Sequence, residues 1–164
     1  MDAELVGVSF AAEPGQAAYV PVGHDYAGAP DQLSLQAVVD AVKPLLEDES
    51  LTKIGQNLKY DMSVLARYDV DIRGPLYDTM LQSYVLNSVA TRHNMDALAG
   101  FYLDRNTIHY EDIAGKGAKQ LTFNEVPVEQ AAEYAAEDAD VTLQLHETLW
   151  PRLSAEDALK SVYE

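Results

Sequence analysis

The chain has 164 residues, the usual length of a single domain. Its 27 acidic residues exceed its 11 basic ones and give a formal net charge of -16. That balance excludes a protein that coats nucleic acid by positive charge alone, although contact through carboxylate-bound metal ions stays open. Because cysteine is absent, disulfides, thiol nucleophiles and cysteine-ligated zinc are excluded. No apolar run is long enough to span a membrane, so we expect a cytoplasmic protein without a membrane partner.

The first elements of the chain predict a hairpin followed by a helix. Apolar runs at residues 5–10 and 17–22 flank a turn-forming tetrapeptide at 13–16, which is typical of two antiparallel strands. Residues 34–46 carry apolar side chains at helical spacing. Pro44 falls inside this helix, so we expect its last turn to be kinked or the helix to end early.

The rest of the chain predicts an alternation of strands and helices. In order, the patterns indicate a strand at 52–55, a helix from Asn57, a strand candidate at 72–77, a helix at 79–89, a helix capped by Asn94, a loop at 107–123 and a long helix at 128–149. The hairpin, this alternation and the long final helix together predict an α/β domain.

The first candidate site follows the strand at 52–55. Asn57 begins a helix there, and Asp61 lies on the first turn of that helix. α/β proteins tend to place their binding sites where the carboxyl end of a strand meets a helix. The alternative is structural, with Asn57 as a helix cap and Asp61 as a solvated acid that the helix dipole favours.

The second candidate site is a tyrosine and an aspartate on the long helix. Tyr134 and Asp138 are four residues apart and therefore lie on one helical face. A carboxylate that binds a metal, with a phenol beside it, could hold a water for attack on a phosphate. The alternative is a tyrosine packed under the helix beside a surface acid. Glu137 and Asp140 fall on other faces, and we expect them to be solvated.

Taken together, the two patterns resemble a known family. Asn57-x-x-Tyr60-Asp61 and, far downstream, Tyr134-x-x-x-Asp138 are similar to the second and third exonuclease motifs of the 3′–5′ proofreading domain of bacterial DNA polymerase I, in its tyrosine subclass. The similarity covers essentially the whole chain. Further segments that resemble that domain lie at 5–10, 21–26, 53–61, 78–90, 114–124 and 134–146.

The resemblance implies a fold and a reaction. The fold is ribonuclease-H-like, an α/β domain with a mixed sheet flanked by helices. The reaction is hydrolysis of the 3′-terminal phosphodiester of single-stranded DNA with two divalent metal ions, Mg²⁺ or Mn²⁺, with Zn²⁺ as an alternative. By the same resemblance, Asp138 would bind the metal on the side of the attacking water, Tyr134 would orient that water, and Asp61 would bind the second metal.

The resemblance also implies where DNA binds. Asn57, Tyr60, Arg92 and Tyr110 match family positions that grip or stack on the terminal nucleotides. The partner would be a single-stranded or frayed 3′ end of DNA. Stacking of an unpaired base on Tyr110 would tolerate any sequence, as a proofreading enzyme requires. The alternative for Tyr110 is a half-buried aromatic residue in a loop.

One motif of the family departs from its expected place. The family's Asp-x-Glu pair follows an apolar strand, and no pair in this sequence does so. Asp2-Ala3-Glu4 is not a substitute, because its acids precede the apolar run. We therefore expect the first strand of the sheet to be missing. We also expect the chain to be nearly inactive as a nuclease, because hard divalent ions need several oxygen ligands.

A missing strand would leave a sheet edge unpaired, which favours a homodimer. We divide the chain into an exonuclease-like domain at 1–150 and, at 151–164, the start of a connection to the polymerase domain of a parent chain. Two alternatives remain open. One is an RNA-processing exonuclease of the same fold, and the other is a nuclease-shaped module without catalysis that acts as a scaffold or binds single strands.

Overall fold

The structure is a computed structural model that describes residues 3–164. Asp2, part of the acidic triplet rejected above, lies outside the described residues. The strands and helices in chain order are β1 (Gly7–Glu13), β2 (Gln16–Pro21), α1 (Leu35–Leu46), β3 (Lys53–Gly55), α2 (Leu58–Leu65), β4 (Leu76–Asp78), α3 (Thr79–Leu86), α4 (Met95–Leu103), α5 (Tyr110–Ala114), α6 (Val128–Ser154) and α7 (Asp157–Tyr163). Short 3₁₀ turns lie at Ala66–Tyr68, Gly117–Lys119 and Phe123–Glu125.

β1 and β2 form the predicted antiparallel hairpin. Gly7 pairs with Pro21, and the pairing runs to Glu13 and Gln16 at the turn. Gly15 in that turn has a φ of 78°. Glycine adopts this left-handed conformation without steric cost, which explains why the chain reverses at this point.

β3 and β4 form a second pair, which is parallel and connected through α2. Lys53 pairs with Leu76, and Gly55 pairs with Asp78. Within residues 3–164 the antiparallel and the parallel pair are separate two-stranded sheets. The two kinds of pairing that a mixed sheet combines are thus both present, but no described strand hydrogen-bonds to both pairs.

The helix α1 begins at a cap and tolerates a proline. The Ser34 side chain accepts a hydrogen bond from the Ala37 backbone N–H at 3.2 Å. The helix then continues to Leu46, so it does not end early at Pro44. Because Pro44 lies in the last turn, its missing N–H removes a hydrogen bond only there.

The helix α6 is the centre of the core. It spans 27 residues, continues beyond the predicted end through Pro151 to Ser154, and packs against both hairpin strands, α3, α4 and β3. Its buried apolar residues, which recur at helical spacing, are Ala131, Ala135, Val141, Leu145, Leu149 and Leu153. A second cluster around Val39, Leu58 and Val70 joins α1 to α2. The long helix therefore links the two small sheets.

The helix α3 and the loop at 107–123 differ in detail from the elements that the sequence predicts. The helix α3 ends at Leu86 rather than at residue 89, because Asn87 is extended. The predicted loop at 107–123 is irregular apart from the short α5, the 3₁₀ turn at Gly117–Lys119 and the first residue of the 3₁₀ turn at Phe123–Glu125. In the part of the chain that the structure describes, no helix is long and apolar enough to cross a membrane.

Candidate active site

One buried carboxylate organises the junction that leads to Asp61. The Asp78 side chain, 8% exposed, accepts hydrogen bonds from the backbone N–H groups of Asn57 at 3.1 Å and Leu58 at 2.8 Å. It also accepts from those of Met80 at 2.9 Å and Leu81 at 3.3 Å. A single side chain thus satisfies the unpaired N–H groups at the beginnings of both α2 and α3.

Asn57 precedes α2 but does not cap it with its side chain. Its backbone is left-handed, with a φ of 58°, and its side chain makes no capping hydrogen bond. The structural alternative for Asn57 is therefore wrong, because Asp78 occupies the capping role. Asn57 and Tyr60 are both exposed at the start of this helix.

Asp61 lies on the first turn of α2, as predicted. Water reaches this residue, yet the protein around its carboxylate displaces enough solvent to disfavour the charge. This desolvation, assisted by the negative charge of Asp78, raises the pKa of Asp61 to about 6. Asp61 is therefore exposed, as the structural alternative expects, but its charged form is disfavoured.

Tyr134 and Asp138 lie one turn apart on α6, on a shared face, as predicted. Desolvation raises the pKa of Asp138 to about 6, and a hydrogen bond from the Tyr134 hydroxyl partly offsets that rise. Desolvation, followed by the Asp138 charge, also raises the pKa of Tyr134 above its usual value. The phenol therefore stays protonated beside the Asp138 carboxylate.

Tyr110 packs against this pair. Its ring centroid lies 6.1 Å from that of Tyr134 at an interplanar angle of 64°. Its hydroxyl donates to the Leu121 carbonyl at 2.9 Å, which fixes the orientation of the ring. Phe123, which is not among the predicted site residues, has its ring centroid 6.2 Å from that of Tyr134. Tyr110 is therefore both a half-buried aromatic and a neighbour of the candidate site.

Asp96 is a second acid near the pair and was not predicted. Its charge raises the pKa of both Tyr134 and Asp138, after the larger effect of desolvation. Its carboxylate accepts from the Thr107 hydroxyl at 2.7 Å and contacts His109 Nδ1 at 2.9 Å. A signal was available, because the Asn94 cap places residue 96 in the first turn of α4.

Glu137 and Asp140 are not solvated, so that expectation is wrong. The Arg105 guanidinium donates to Asp140 at 2.9 Å and to Glu137 at 3.2 Å. Burial opposes ionisation of Asp140, but hydrogen bonds from the Gly15 backbone, Arg105 and Gln144 lower its pKa overall. The helical periodicity identified their faces correctly but could not reveal that other segments pack against those faces.

Arg92 lies in the loop between α3 and α4 and is exposed. The neighbouring His93 imidazole contacts the Ser83 hydroxyl at 3.0 Å, while the His93 carbonyl accepts from Gln56 Nε2 at 2.9 Å. Because Gln56 directly precedes Asn57, this contact connects the Arg92 loop to the junction that carries Asp61.

The predicted site residues other than Arg92 lie at two places in the fold. Tyr110, Tyr134 and Asp138 lie together around α6. Asn57, Tyr60 and Asp61 lie at the start of α2, and the acid that affects Asp61 is Asp78 rather than Asp138. Packing of α6 against β3 connects the two places.

The carboxylates suit a hard divalent ion in their chemistry but not in their number. Carboxylate oxygens are the ligands that Mg²⁺ and Mn²⁺ prefer. Across residues 3–164, however, no cluster of three or more histidine, aspartate or glutamate side chains could hold a metal ion. The described residues therefore do not complete a metal site by themselves.

Comparison with curated proteins extends the motif resemblance to the whole chain. A family model described as 3′-5′ exonuclease matches residues 1–154. DNA polymerase I of Pseudomonas aeruginosa is 59% identical over 162 residues, covering 98% of this chain and 18% of that protein. DNA polymerase I of Rhizobium leguminosarum is 45% identical, covering 100% of this chain and 18% of that protein. The chain spans less than a fifth of these relatives, and the matches confirm the resemblance drawn from the motifs.

Solved structures support the fold. A structure of Pol1 from M. smegmatis in complex with DNA primer-template and dNTP has a TM-score of 0.69 at 22% identity, covering 96% of this chain and 22% of that one. Brucella melitensis NrnC has a TM-score of 0.67 at 22% identity, covering 98% and 71%. NrnC with bound Mg²⁺ has a TM-score of 0.65. At these identities the likeness shows the fold alone, and it confirms the ribonuclease-H-like α/β class.

Proposed function

The chain belongs to the 3′–5′ exonuclease family, and we propose that it is the proofreading module of a DNA polymerase I that binds a single-stranded or frayed 3′ end of DNA. The observation that carries this proposal is the packing of Tyr110 on Tyr134, one helical turn from Asp138. An aromatic ring beside an acid of raised pKa suits a terminal base and its phosphate. A polymerase domain in the parent chain would be the second partner.

The residues of this chain supply part of the chemistry. Asp61 and Asp138 each contribute one carboxylate toward sites for two divalent ions, Mg²⁺ or Mn²⁺ with Zn²⁺ as an alternative. Such ions, when bound, lower the pKa of an attacking water and stabilise a leaving oxygen. Tyr134, whose pKa is raised by desolvation and by the charge of Asp138, would position that water. Asn57, Tyr60 and Arg92 would hold the terminal nucleotides.

We propose that these residues alone hydrolyse DNA slowly. Asp61 and Asp138 lie on different helices, the described residues contain no cluster of three or more histidine, aspartate or glutamate side chains that could hold a metal ion, and no Asp-x-Glu pair follows an apolar strand in the sequence. Two carboxylates offset little of the cost of dehydrating a divalent ion. Binding of a 3′ end and its hydrolysis should therefore separate in this chain.

Binding and hydrolysis can be measured on one substrate. A single-stranded DNA oligonucleotide labelled at its 5′ end is titrated with the chain in EDTA, and its anisotropy reports binding. The same oligonucleotide is then incubated with Mg²⁺ or Mn²⁺, and a denaturing gel reports shortening. We expect saturable binding with little shortening. Rapid shortening would contradict the slow-hydrolysis proposal, and absence of binding would contradict the DNA-binding proposal.

Two alternatives are tested by the same assay. An RNA oligonucleotide of matched sequence would be preferred by an RNA-processing enzyme. A module without catalysis would shorten neither strand at all, and it would bind neither strand if it is a scaffold but would still bind them if it is a single-strand-binding module. A homodimer is a further proposal. In the described residues β1 pairs only with β2, and β3 pairs only with β4. One edge of each of these four strands therefore has no strand partner and could pair with a strand of another chain. Light scattering that gives the mass of one chain would contradict it.

A further inference from the structure

Arg105 lies in the loop between α4 and α5 and reaches across to α6. One guanidinium nitrogen donates to Asp140 at 2.9 Å and another donates to Glu137 at 3.2 Å. The side chains of these two acids are only 10% and 16% exposed. One cation therefore pairs with two nearly buried carboxylates that flank Asp138 along the helix.

The same two carboxylates also bind backbone groups of distant segments. Glu137 accepts from the Ile108 backbone N–H at 2.6 Å. Asp140 accepts from the Gly15 backbone N–H at 2.7 Å, in the turn between β1 and β2. Arg105 thus stands at the centre of a cluster that joins the hairpin turn, α6 and the segment leading into α5.

The Glu137 contact lies close to the aromatic part of the candidate site. Ile108 is two residues before Tyr110, which begins α5 and packs on Tyr134. If Glu137 turned away, the Ile108 N–H would lose its acceptor and the path into Tyr110 would loosen. The Glu137 carboxylate is therefore one of the contacts that set the position of the Tyr110 ring, together with the hydrogen bond from the Tyr110 hydroxyl to Leu121.

A second anchor holds this segment independently of Arg105. Asp96 on α4 accepts from the Thr107 hydroxyl at 2.7 Å and contacts His109 Nδ1 at 2.9 Å. These contacts remain when Arg105 is replaced. We therefore expect the segment to stay attached to the domain at Thr107 and His109, while the backbone at Ile108 between these anchors shifts and passes part of that shift to Tyr110.

We propose that Arg105 is a positioning residue for the terminal nucleotide, because its bridge to Glu137 and Asp140 holds Tyr110 at the site. This inference rests on the proposed function, in which Tyr110 stacks on the terminal base. Without the guanidinium, two nearly buried carboxylates would lack their cation, and turning toward water would relieve them. Glu137 would then leave Ile108, and its unpaired charge would act on Asp138.

The first test needs no DNA. The chain is labelled with 3-fluorotyrosine, and the Tyr110 resonance in the ¹⁹F spectrum is assigned by its loss in Tyr110→Phe. We expect Arg105→Gln to shift or broaden this resonance. Arg73→Gln is the matched control, because Arg73 pairs with Asp71 in a surface ion pair whose side chains are 50% and 66% exposed. An unchanged Tyr110 resonance in folded Arg105→Gln would overturn the proposal.

Arg105→Lys is a second variant for the case in which Arg105→Gln does not fold. Lysine keeps the positive charge, but a single ammonium lacks the forked geometry that bridges two carboxylates. We expect a smaller shift of the Tyr110 resonance than in Arg105→Gln. If Arg105→Gln does not fold, the lysine variant decides, and an unchanged resonance in that variant would overturn the proposal.

The second test uses DNA with a 3′-terminal 2-aminopurine in EDTA. Stacking on an aromatic ring quenches this base, so its fluorescence reports contact with Tyr110. We expect Arg105→Gln to bind about tenfold more weakly and to quench less, as for loss of one stacking contact. Arg73→Gln should match the parent chain, and equal quenching by Arg105→Gln and the parent would overturn the proposal. If the parent chain does not quench, the proposed DNA binding fails, while the Tyr110 resonance still decides the role of Arg105.

Discussion

The β3–α2 junction and the middle of α6 each contain two aspartates, and the contacts that hold one of the two differ between the regions. Each region contains one aspartate that the structure uses and one whose pKa is raised to about 6. At the junction, Asp78 accepts hydrogen bonds from backbone N–H groups, while Asp61 has the raised pKa. On α6, Asp140 pairs with an arginine while Asp138 has the raised pKa.

The difference lies in what holds the structural acid. At the junction the donors are uncharged backbone groups at two helix beginnings, so Asp78 is part of the secondary structure. On α6 the donors include the Arg105 side chain, so the cluster depends on one cation. In both regions, the acids without such partners are the candidates for function.

The largest expected effect separates the two acids of the junction. Asp78→Ala removes the acceptor for four N–H groups at the starts of α2 and α3. We expect it to lower the free energy of unfolding by about 3 kcal/mol. This value combines the loss of two helix caps with the cost of leaving buried backbone N–H groups without an acceptor. Asp61→Ala should not destabilise at neutral pH, because the ionised form is disfavoured in the fold.

Urea unfolding followed by circular dichroism measures both variants. Asp78→Asn is the matched control, because its amide oxygen can still accept part of the N–H groups, and its effect should be intermediate. Equal stability of Asp78→Ala and Asp61→Ala would contradict the assignment of a structural role to Asp78 and not to Asp61.

The next effect concerns the aromatic part of the α6 region. Tyr110→Ala removes the ring that packs on Tyr134. We expect the dissociation constant for single-stranded DNA to rise about tenfold, as for loss of one stacked base. Fluorescence anisotropy in EDTA measures it. Tyr110→Phe should bind nearly as well as the parent, and Phe101→Ala, at an exposed ring on α4, controls for the loss of any aromatic residue.

The pH dependence of stability tests the raised pKa of Asp138. Its folded pKa is about 6, above the ordinary value of 3.8, so the fold favours the protonated form. The resulting penalty is present above about pH 6 and disappears as the pH falls from 6 toward 4. Asp138→Asn should therefore be more stable than the parent by about 1 kcal/mol at pH 8, after allowance for partial solvent exposure.

Urea titrations of the parent and Asp138→Asn at pH 8 and pH 4.5 measure this difference. The gain should fall to about a third at the lower pH, because it disappears fully only below the ordinary pKa of 3.8. The same substitution at the exposed Asp31 controls for the loss of one negative charge. A gain that is equal at both pH values would contradict the raised pKa.

The smallest effect is expected at a surface ion pair. Arg73 and Asp71 are both largely exposed, so their pairing contributes little. We expect Arg73→Gln to leave the urea midpoint unchanged, whereas Arg105→Gln should lower it. Equal midpoints for the two variants would mean that the α6 cluster is no more important than a surface pair.

Several features of the site were predictable because they depend on local periodicity. The four-residue spacing of Tyr134 and Asp138 places them on one face wherever the helix lies, and Asp61 follows from the strand-to-helix pattern. The solvated state expected for Glu137 and Asp140 was wrong, because periodicity identifies a face but not the segment that covers it. The Asn94 cap places Asp96 in the first turn of α4, but only the packing of α4 against α6 brings it near Tyr134 and Asp138.

The sequence by itself determined the hairpin and the long helix, because these depend on turn residues and spacing, and the resemblance of its motifs to known ones indicated the family. The tertiary structure decided which acids are structural. Asp78 meets two helix beginnings, and Arg105 meets two acids on α6, only when segments distant in sequence pack together. Desolvation also arises from that packing, which is why Asp61 and Asp138 have raised pKa values that no local pattern could indicate.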